Sequence, residues 1–237
     1  MEHRGIEAFS ECKRVIVIAA HADDLETICG GTMRQLADQG VRIFSVNCTN
    51  GDLGTTDKSA DRRSLAAERR KEAAVAAAIL GLTQTFTLNH PDGELVADLQ
   101  LRAEIAQLYR MTQADTLVTF DPFWSGQIHP DHRAAGQVAL DAYMPSKMPL
   151  YHPEHLISPE VDVGQLQKVF LFSTDREPDI FIDVSACYDK KIAAASAHKS
   201  QFPRGEADLE WMKILDSAPG KIIGTKFAEA FKEIRVW

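Results

Sequence analysis

The chain has no cysteine pair at CxxC spacing. Its four cysteines, Cys12, Cys29, Cys48 and Cys187, are scattered, and three lie in or beside apolar segments, where a reduced thiol acts as a small buried hydrophobe. A disulfide scaffold is excluded, and the cytoplasm is the expected compartment. No run approaches the roughly 18 consecutive apolar residues of a membrane span. The opening stretch MEHRGIEAF has charges where a secretory leader needs an apolar run. A dense Lys/Arg stripe is also missing. With 26 basic against 34 acidic residues, a formal charge of −8 repels nucleic acid and anionic membrane. There is no internal repeat, low-complexity linker or composition break, so residues 1–237 read as one domain, and 45% hydrophobic residues can build a sizeable core.

Apolar, β-rich runs recur at VIVIAA from Val15, VRIFSVNCT from Val41, QTFTLN from Gln84, TLVTFDP from Thr116 and KVFLFST from Lys168. Between the first four lie helical patterns over Glu26–Gln39, Ser64–Leu80 and Asp98–Gln113, with Gly40 and Gly81 as stop signals for the first two. Near-continuous apolar strands joined by helices predict a Rossmann-like three-layer α/β/α sandwich with a mostly parallel sheet. Past Leu150, MPLYHPEHLISPE reads as an exposed loop. DIFIDVS reads as a strand, DKKIAAASAHK as a helix and KFAEAFKEI as a final helix.

In open α/β sheets ligands bind beyond the carboxyl ends of the strands. Those ends here carry AHADD, TNGDLG, NHPDGEL and FDPFWSGQIHPDHRAAG. His21 and Asp24 form an H-x-x-D pair, and His129 and His132 form H-P-D-H. Imidazole with carboxylate suits zinc, and two histidines plus one carboxylate leave one tetrahedral position open, as in catalytic sites. Thiolates are absent from both clusters, which excludes a structural zinc finger. CGGT is not G-x-G-x-x-G, which excludes a dinucleotide loop.

Each stretch also has a plainer reading. HADD can be a helix cap with an acidic first turn, and HPDH a loop with Asp131 as cap. Arg69 can lie on a solvated helix face, and Asp92 can belong to a turn in which Gly93 supplies positive φ. His152 and His155, flanking Pro153, read as a surface pair. Phe123 and Trp124 fit either an aromatic wall for a sugar face or a partly buried loop.

AHADDLETICGGT and the later HPDHRAAG resemble the signatures of the LmbE-like, or PIG-L, zinc-dependent deacetylases. TNGDLG, ERRKEAAVAAAILGL, NHPDGEL, KKIAAASAHKSQ and KFAEAF extend the resemblance over nearly the whole chain. The resemblance implies zinc, with ferrous iron as an alternative, on His21, Asp24 and His132. It implies Asp23 as general base, and a protonated His129 that stabilises the oxyanion and protonates the leaving amine. Arg69 is implied as a substrate contact, and Asp92 as a partner for sugar hydroxyls or for a histidine. His198, with Ser200 and Gln201, is implied to be structural. Three departures stand out: Ala22 replaces a usual proline, Leu25 a usual glutamate and Ile28 a frequent glycine. The missing proline is expected to loosen the turn, and Leu25 to change the charge near the metal.

The implied activity is removal of an N-acetyl group from an N-acetylglucosamine-type sugar or its conjugate, a small-molecule substrate. Leu25 and the MPLYHPEHLISPE loop keep open an amidase for a non-sugar N-acyl amine. A vestigial Rossmann-like binding protein is the reading from another class. Self-association is left open by charge and composition, homo-oligomers being common at this size.

Overall fold

The computed structural model describes residues 4–174 and 176–236. Residues 1–3 of the charged opening stretch lie outside them. Strands β1 (Arg14–Ala19), β2 (Arg42–Thr49), β3 (Gln84–His90), β4 (Thr116–Phe120), β5 (Lys168–Phe172), β6 (Ile180–Asp183) and β7 (Ala228–Arg235) form one sheet of order β3-β2-β1-β4-β5-β7-β6. The first five run parallel; β7 is antiparallel to both β5 and β6. The helices are α1 (Asp24–Asp38), α2 (Arg62–Leu80), α3 (Leu99–Thr112), α4 (Pro130–Asp141), α5 (Tyr143–Lys147), α6 (Tyr188–Ser196) and α7 (Glu210–Ile223). Helices α1, α2 and α6 pack together on one side, and α3, α4 and α5 on the other. The three layers expected from the sequence are present.

Val15 to Ala19 are fully buried because parallel strands are covered on both faces. From β1 the chain steps outward through β2 to β3, then returns to lay β4 on the other side of β1. The reversal opens a crevice between the carboxyl ends of β1 and β4, the topological switch point where α/β sheets bind ligands. Gly81, at φ +77, ends α2 as a left-handed cap.

One expectation is corrected. KFAEAFKEI lies in β7, not in a helix, and the last helix is the preceding α7, to which the sequence reading gave no element. Ala, Glu and Lys favour helix locally, but residues 228–231 pair with β6 and residues 232–235 with β5. The two halves of the strand thereby bridge β6 and β5, and tertiary pairing overrides propensity. Within α7, Pro219 and Gly220 read as breakers, yet the helix runs through them, and Gly220 sits where a Cβ would come 2.9 Å from the Thr225 carbonyl.

β7 also supplies Glu229. Helix α1 is kinked at Cys29 (φ −131, ψ 16), which frees backbone N–H groups at the start of its second half. Gly31 N and Thr32 N donate to the two Glu229 oxygens at 2.9 and 2.7 Å. Buried Lys191 of α6 lies 2.8 Å from Glu229 and 2.7 Å from Asp216 of α7. Removing one partner from a buried ion network leaves an uncompensated charge, at about 3–5 kcal/mol. Glu229→Ala is therefore expected to lower stability by an amount of that order, read as a lower urea midpoint; a loss within about 0.5 kcal/mol, the usual surface range, would contradict this role.

Candidate metal centre

The turn after β1 is closed by Asp24, whose Oδ2 accepts the N–H groups of Ala20 at 3.0 Å and His21 at 2.7 Å. These two bonds fix the turn without the proline that Ala22 replaces. The His21 ring then points Nδ1 toward His132 Nε2 at 3.2 Å and toward Asp24 Oδ2 at 3.5 Å, while His132 Nε2 lies 3.3 Å from Asp24 Oδ1. Donor atoms about 2.0–2.1 Å from a tetrahedral zinc stand about 3.3–3.4 Å apart. The two imidazole nitrogens stand close to that separation, and Asp24 presents a different oxygen to each, Oδ2 to His21 and Oδ1 to His132.

The outer nitrogens are also held. His21 Nε2 lies 3.1 Å from Asp92 Oδ1 and 3.4 Å from Asp131 Oδ2. Both carboxylates accept hydrogen bonds only, so Nε2 keeps its proton, and it is the Nδ1 proton that would leave to let the Nδ1 lone pair face a metal beside His132 and Asp24. Two triads around His21 bring potential ligand atoms together, His21 with His129 and His132 and His21 with Asp92 and Asp131, but the oxygens of the latter are already engaged. Leu53 N donates to Asp92 Oδ2 at 3.2 Å, and Gly93 N and Leu95 N donate to Asp131 at 2.7 and 3.2 Å. These acids serve better as supports of His21 than as ligands.

His132 Nδ1 meets Gln127 Oε1 at 3.3 Å, and its ring stacks on Phe120 with centroids 4.1 Å apart. Nothing in the sequence around Gln127 marks this contact except its place five residues before a candidate ligand. Asp131 is not the helix cap. His129 caps α4, its Nδ1 accepting the Asp131 N–H at 3.3 Å, which leaves the neutral ring's proton on Nε2. The His129 ring stacks on His132 at 4.5 Å and stands 4.8 Å from His21. Burial and the two neighbouring imidazoles push its pKa below the ordinary histidine value, which favours the neutral ring at rest.

Asp23 Oδ1 accepts from Arg69 Nη2 at 2.8 Å. Arg69 is 3% exposed and also donates to the Gly51 carbonyl at 3.0 Å. A Cβ on Gly51 or Gly54 would come within 2.7 or 2.5 Å of the guanidinium, so the glycines of TNGDLG make room for it. His198 is fully buried, 3.6 Å from Glu26 Oε2. Ser200 donates to Glu72 through N and Oγ at 2.7 and 2.6 Å, and Gln201 donates to the Gly54 carbonyl at 2.8 Å. The AHKSQ segment thus clamps α2 and the Gly51–Gly54 loop. Leu25 faces the apolar core at 1% exposure, and the buried carboxylate belongs to Glu26 beside it.

Phe123 is 55% exposed, with the Arg176 guanidinium 5.5 Å from its ring centroid; Trp124 is half-buried. His152 and His155 stack at 5.0 Å beside Glu154, apart from the His21 cluster.

Burial opposes charge on His21, but the carboxylates of Asp24, Asp131 and Asp92 outweigh it, and its pKa is pushed up to about 12. Burial likewise opposes charge on Asp24, yet His132 and His21 hold it well below the usual carboxylate range. The cage is built for positive charge, whether a proton or a metal ion.

The family model described as PIG-L, GlcNAc-PI de-N-acetylase, matches residues 16–143, a span that contains His21, Asp23, Asp24, Arg69, Asp92, His129 and His132. A diacetylchitobiose deacetylase of Thermococcus kodakarensis is 31% identical over 228 residues, covering 95% of this chain and 85% of the relative. A 4-oxalmesaconate hydratase of Pseudomonas putida is 26% identical over 197 residues, covering 80% of this chain and 74% of its own length. Among solved structures, N,N'-diacetylchitobiose deacetylase from Pyrococcus horikoshii aligns with a TM-score of 0.89 at 30% identity, covering 96% of this chain and 85% of that one.

A metal entering the cage displaces the proton that His21 retains across the neutral range. Binding is therefore expected to tighten by about tenfold per pH unit between mildly acidic and mildly alkaline solution, one proton leaving per ion. Competition against a chelator of known pH dependence measures this; an affinity that does not change with pH contradicts it.

Proposed function

Because the chain belongs to the PIG-L family of GlcNAc-PI de-N-acetylases, we propose that it hydrolyses the N-acetyl group of an N-acetylglucosamine-type sugar or its conjugate, releasing acetate and the free amine. The observation that carries this reading is the triangle of donor atoms on His21, Asp24 and His132, with Asp23 and His129 on its rim. Those three residues would hold zinc, with ferrous iron as the alternative. When bound, the metal supplies Lewis-acid character and makes water available as hydroxide near neutral pH.

The protein's own groups divide the remaining work. Arg69 fixes one oxygen of Asp23, and the other accepts the proton of the attacking water. His129, its Nδ1 occupied by the Asp131 N–H, offers Nε2–H to the oxygen that gains charge as the carbonyl carbon becomes tetrahedral. As the C–N bond breaks, the proton that Asp23 took from the water passes to the amine, while the His129 Nε2–H keeps its hydrogen bond to the oxygen. Asp92 orients His21, and Arg69 reaches the substrate through Asp23. Phe123 offers an exposed aromatic face at the mouth for a sugar ring.

One apolar core runs from Ala8 to Phe231 and touches every strand, which supports reading residues 1–237 as one catalytic domain. Among the described residues no helix is long and apolar enough to cross a membrane, which is consistent with work in the cytoplasm on a small molecule. The hydratase relative shares much of the sequence, so water addition to an unsaturated acid is the rival reaction.

With one equivalent of zinc, the protein is expected to release acetate from N,N'-diacetylchitobiose or another N-acetylglucosaminide. His132→Ala should lose both metal and activity. Asp23→Asn should keep the metal while kcat falls by about 10²–10⁴-fold. Absence of acetate from every glucosaminide, with hydration of an unsaturated acid instead, overturns the proposal; acetate from non-sugar amides alone moves it to the amidase reading.

A further inference from the structure

The start of α2 runs against ordinary helix chemistry. Its first two residues are Arg62 and Arg63, with no acid in the first turn, although the partial positive charge at a helix start disfavours guanidinium groups there. Arg70 lies seven residues after Arg63, on the same face, and the small Ala66 and Ala67 fall between them. An open hollow of about 580 Å³ lies over this face, lined on its other side by Asn50, Asp52 and Asn89.

Asn50 and Asp52 follow β2, and Asn89 lies near the end of β3, so the cavity opens at the same edge of the sheet as the metal cage. Asp52 forms the wall between them. Its Oδ1 accepts the Asp92 N–H at 3.3 Å, and its Oδ2 accepts from Arg62 Nε at 2.7 Å. Arg62 is thereby neutralised. Arg70 meets only the neutral amide of Asn89, at 2.5 Å. Among the described residues neither Arg63 nor Arg70 makes an ion pair; Arg63 feels the exposed charge of the cap Asp61, and both guanidinium forks face the hollow without a bound carboxylate in a chain of formal charge −8. Guanidinium forks bind carboxylate and phosphate oxygens in pairs of hydrogen bonds.

We propose that this cavity is a subsite for an anionic aglycone: Arg63 and Arg70 bind a carboxylate or phosphate on the part of the substrate away from its N-acetyl group. This rests on the deacetylase reading above. Asp52 then couples the two ends, since its carboxylate touches both Arg62 of the cavity and the backbone of Asp92, which supports His21.

The test uses three N-acetylglucosaminides that differ only in aglycone: methyl, carboxymethyl and 2-phosphoethyl. The wild-type protein is expected to favour at least one anionic glycoside over the methyl glycoside by about tenfold in kcat/KM, mainly through KM, and to lose that preference as ionic strength rises. The doubly substituted variant Arg63→Ala/Arg70→Ala should hydrolyse the methyl glycoside as the wild type does and show no preference. Comparing the carboxymethyl and phosphoethyl arms identifies the anion. Equal rates on all three glycosides, or a preference that survives in the double variant, overturn the subsite. If no glycoside releases acetate, the deacetylase reading fails. Calorimetric binding of the two anionic glycosides to the wild type and the double variant then still decides the cavity, equal or absent binding in both proteins overturning it.

Discussion

A neutral imidazole has one N–H to give and one lone pair to offer, and at His21 the surrounding chain decides which nitrogen does which. Asp92 comes from the loop after β3 and Asp131 from the first turn of α4. Both present oxygens to Nε2, and both are anchored by backbone N–H groups, with Arg69 Nη1 a further 3.7 Å from Asp92 Oδ2. The Nε2 proton is thereby held in place, and the Nδ1 proton is the one that a metal beside His132 and Asp24 would displace. Three chain segments remote in sequence agree on one tautomer. The crevice beside β1 is where they can meet, because the strand order reverses there.

The same device, a buried charge surrounded by partners from distant segments, recurs away from the site. Lys191, Glu229 and Asp216 join α6, β7 and α7 behind the kink of α1, so the half of α1 that begins with Asp24 has a fixed partner half to bend against. Arg110 in α3 is fully buried and, among the described residues, makes no ion pair. It donates instead to the carbonyls of Pro145, Ser146, Met148, Tyr151 and His152, which uses its donor fork to shape the chain after α5. Burial pushes the Arg110 pKa down, yet guanidinium stays charged at any ordinary pH. Each cluster ties helices to loops or strand ends, and a metal cage held to tenths of an ångström needs that rigidity.

What could be read in the sequence follows the range of each interaction. His21 with Asp24, and His129 with His132, sit three residues apart at the mouths of apolar strands, so local spacing alone exposes their chemistry. The parallel strands and their helices announce themselves through apolar runs and through Gly40 and Gly81. Gln127 gives no comparable sign, because its value depends on which way His132 turns. Glu229 looks like one charge in a helix-forming stretch; only the insertion of β7 between β5 and β6 places it under the kink of α1. Leu25 read as a lost charge near the metal because position was taken for direction. One residue along the helix is about 100° of rotation, enough to send Leu25 into the core and Glu26 toward His198.

Reaction chemistry and substrate choice therefore rest on different parts of the molecule. The donors proposed for the metal come from the exit of β1 and the start of α4, and their supports from backbone-anchored acids. Substitution there disturbs several hydrogen bonds at once. The surfaces that would meet the rest of a substrate are of another kind. Phe123 stands exposed beneath Arg176, itself paired with Asp121 at 3.2 Å, and the exposed arginines of α2 lie on the opposite flank. These side chains end in solvent and support little beyond themselves, so they can change while the cage stays intact. A scaffold divided in this way can keep one set of proton-handling groups and present them to different aglycones.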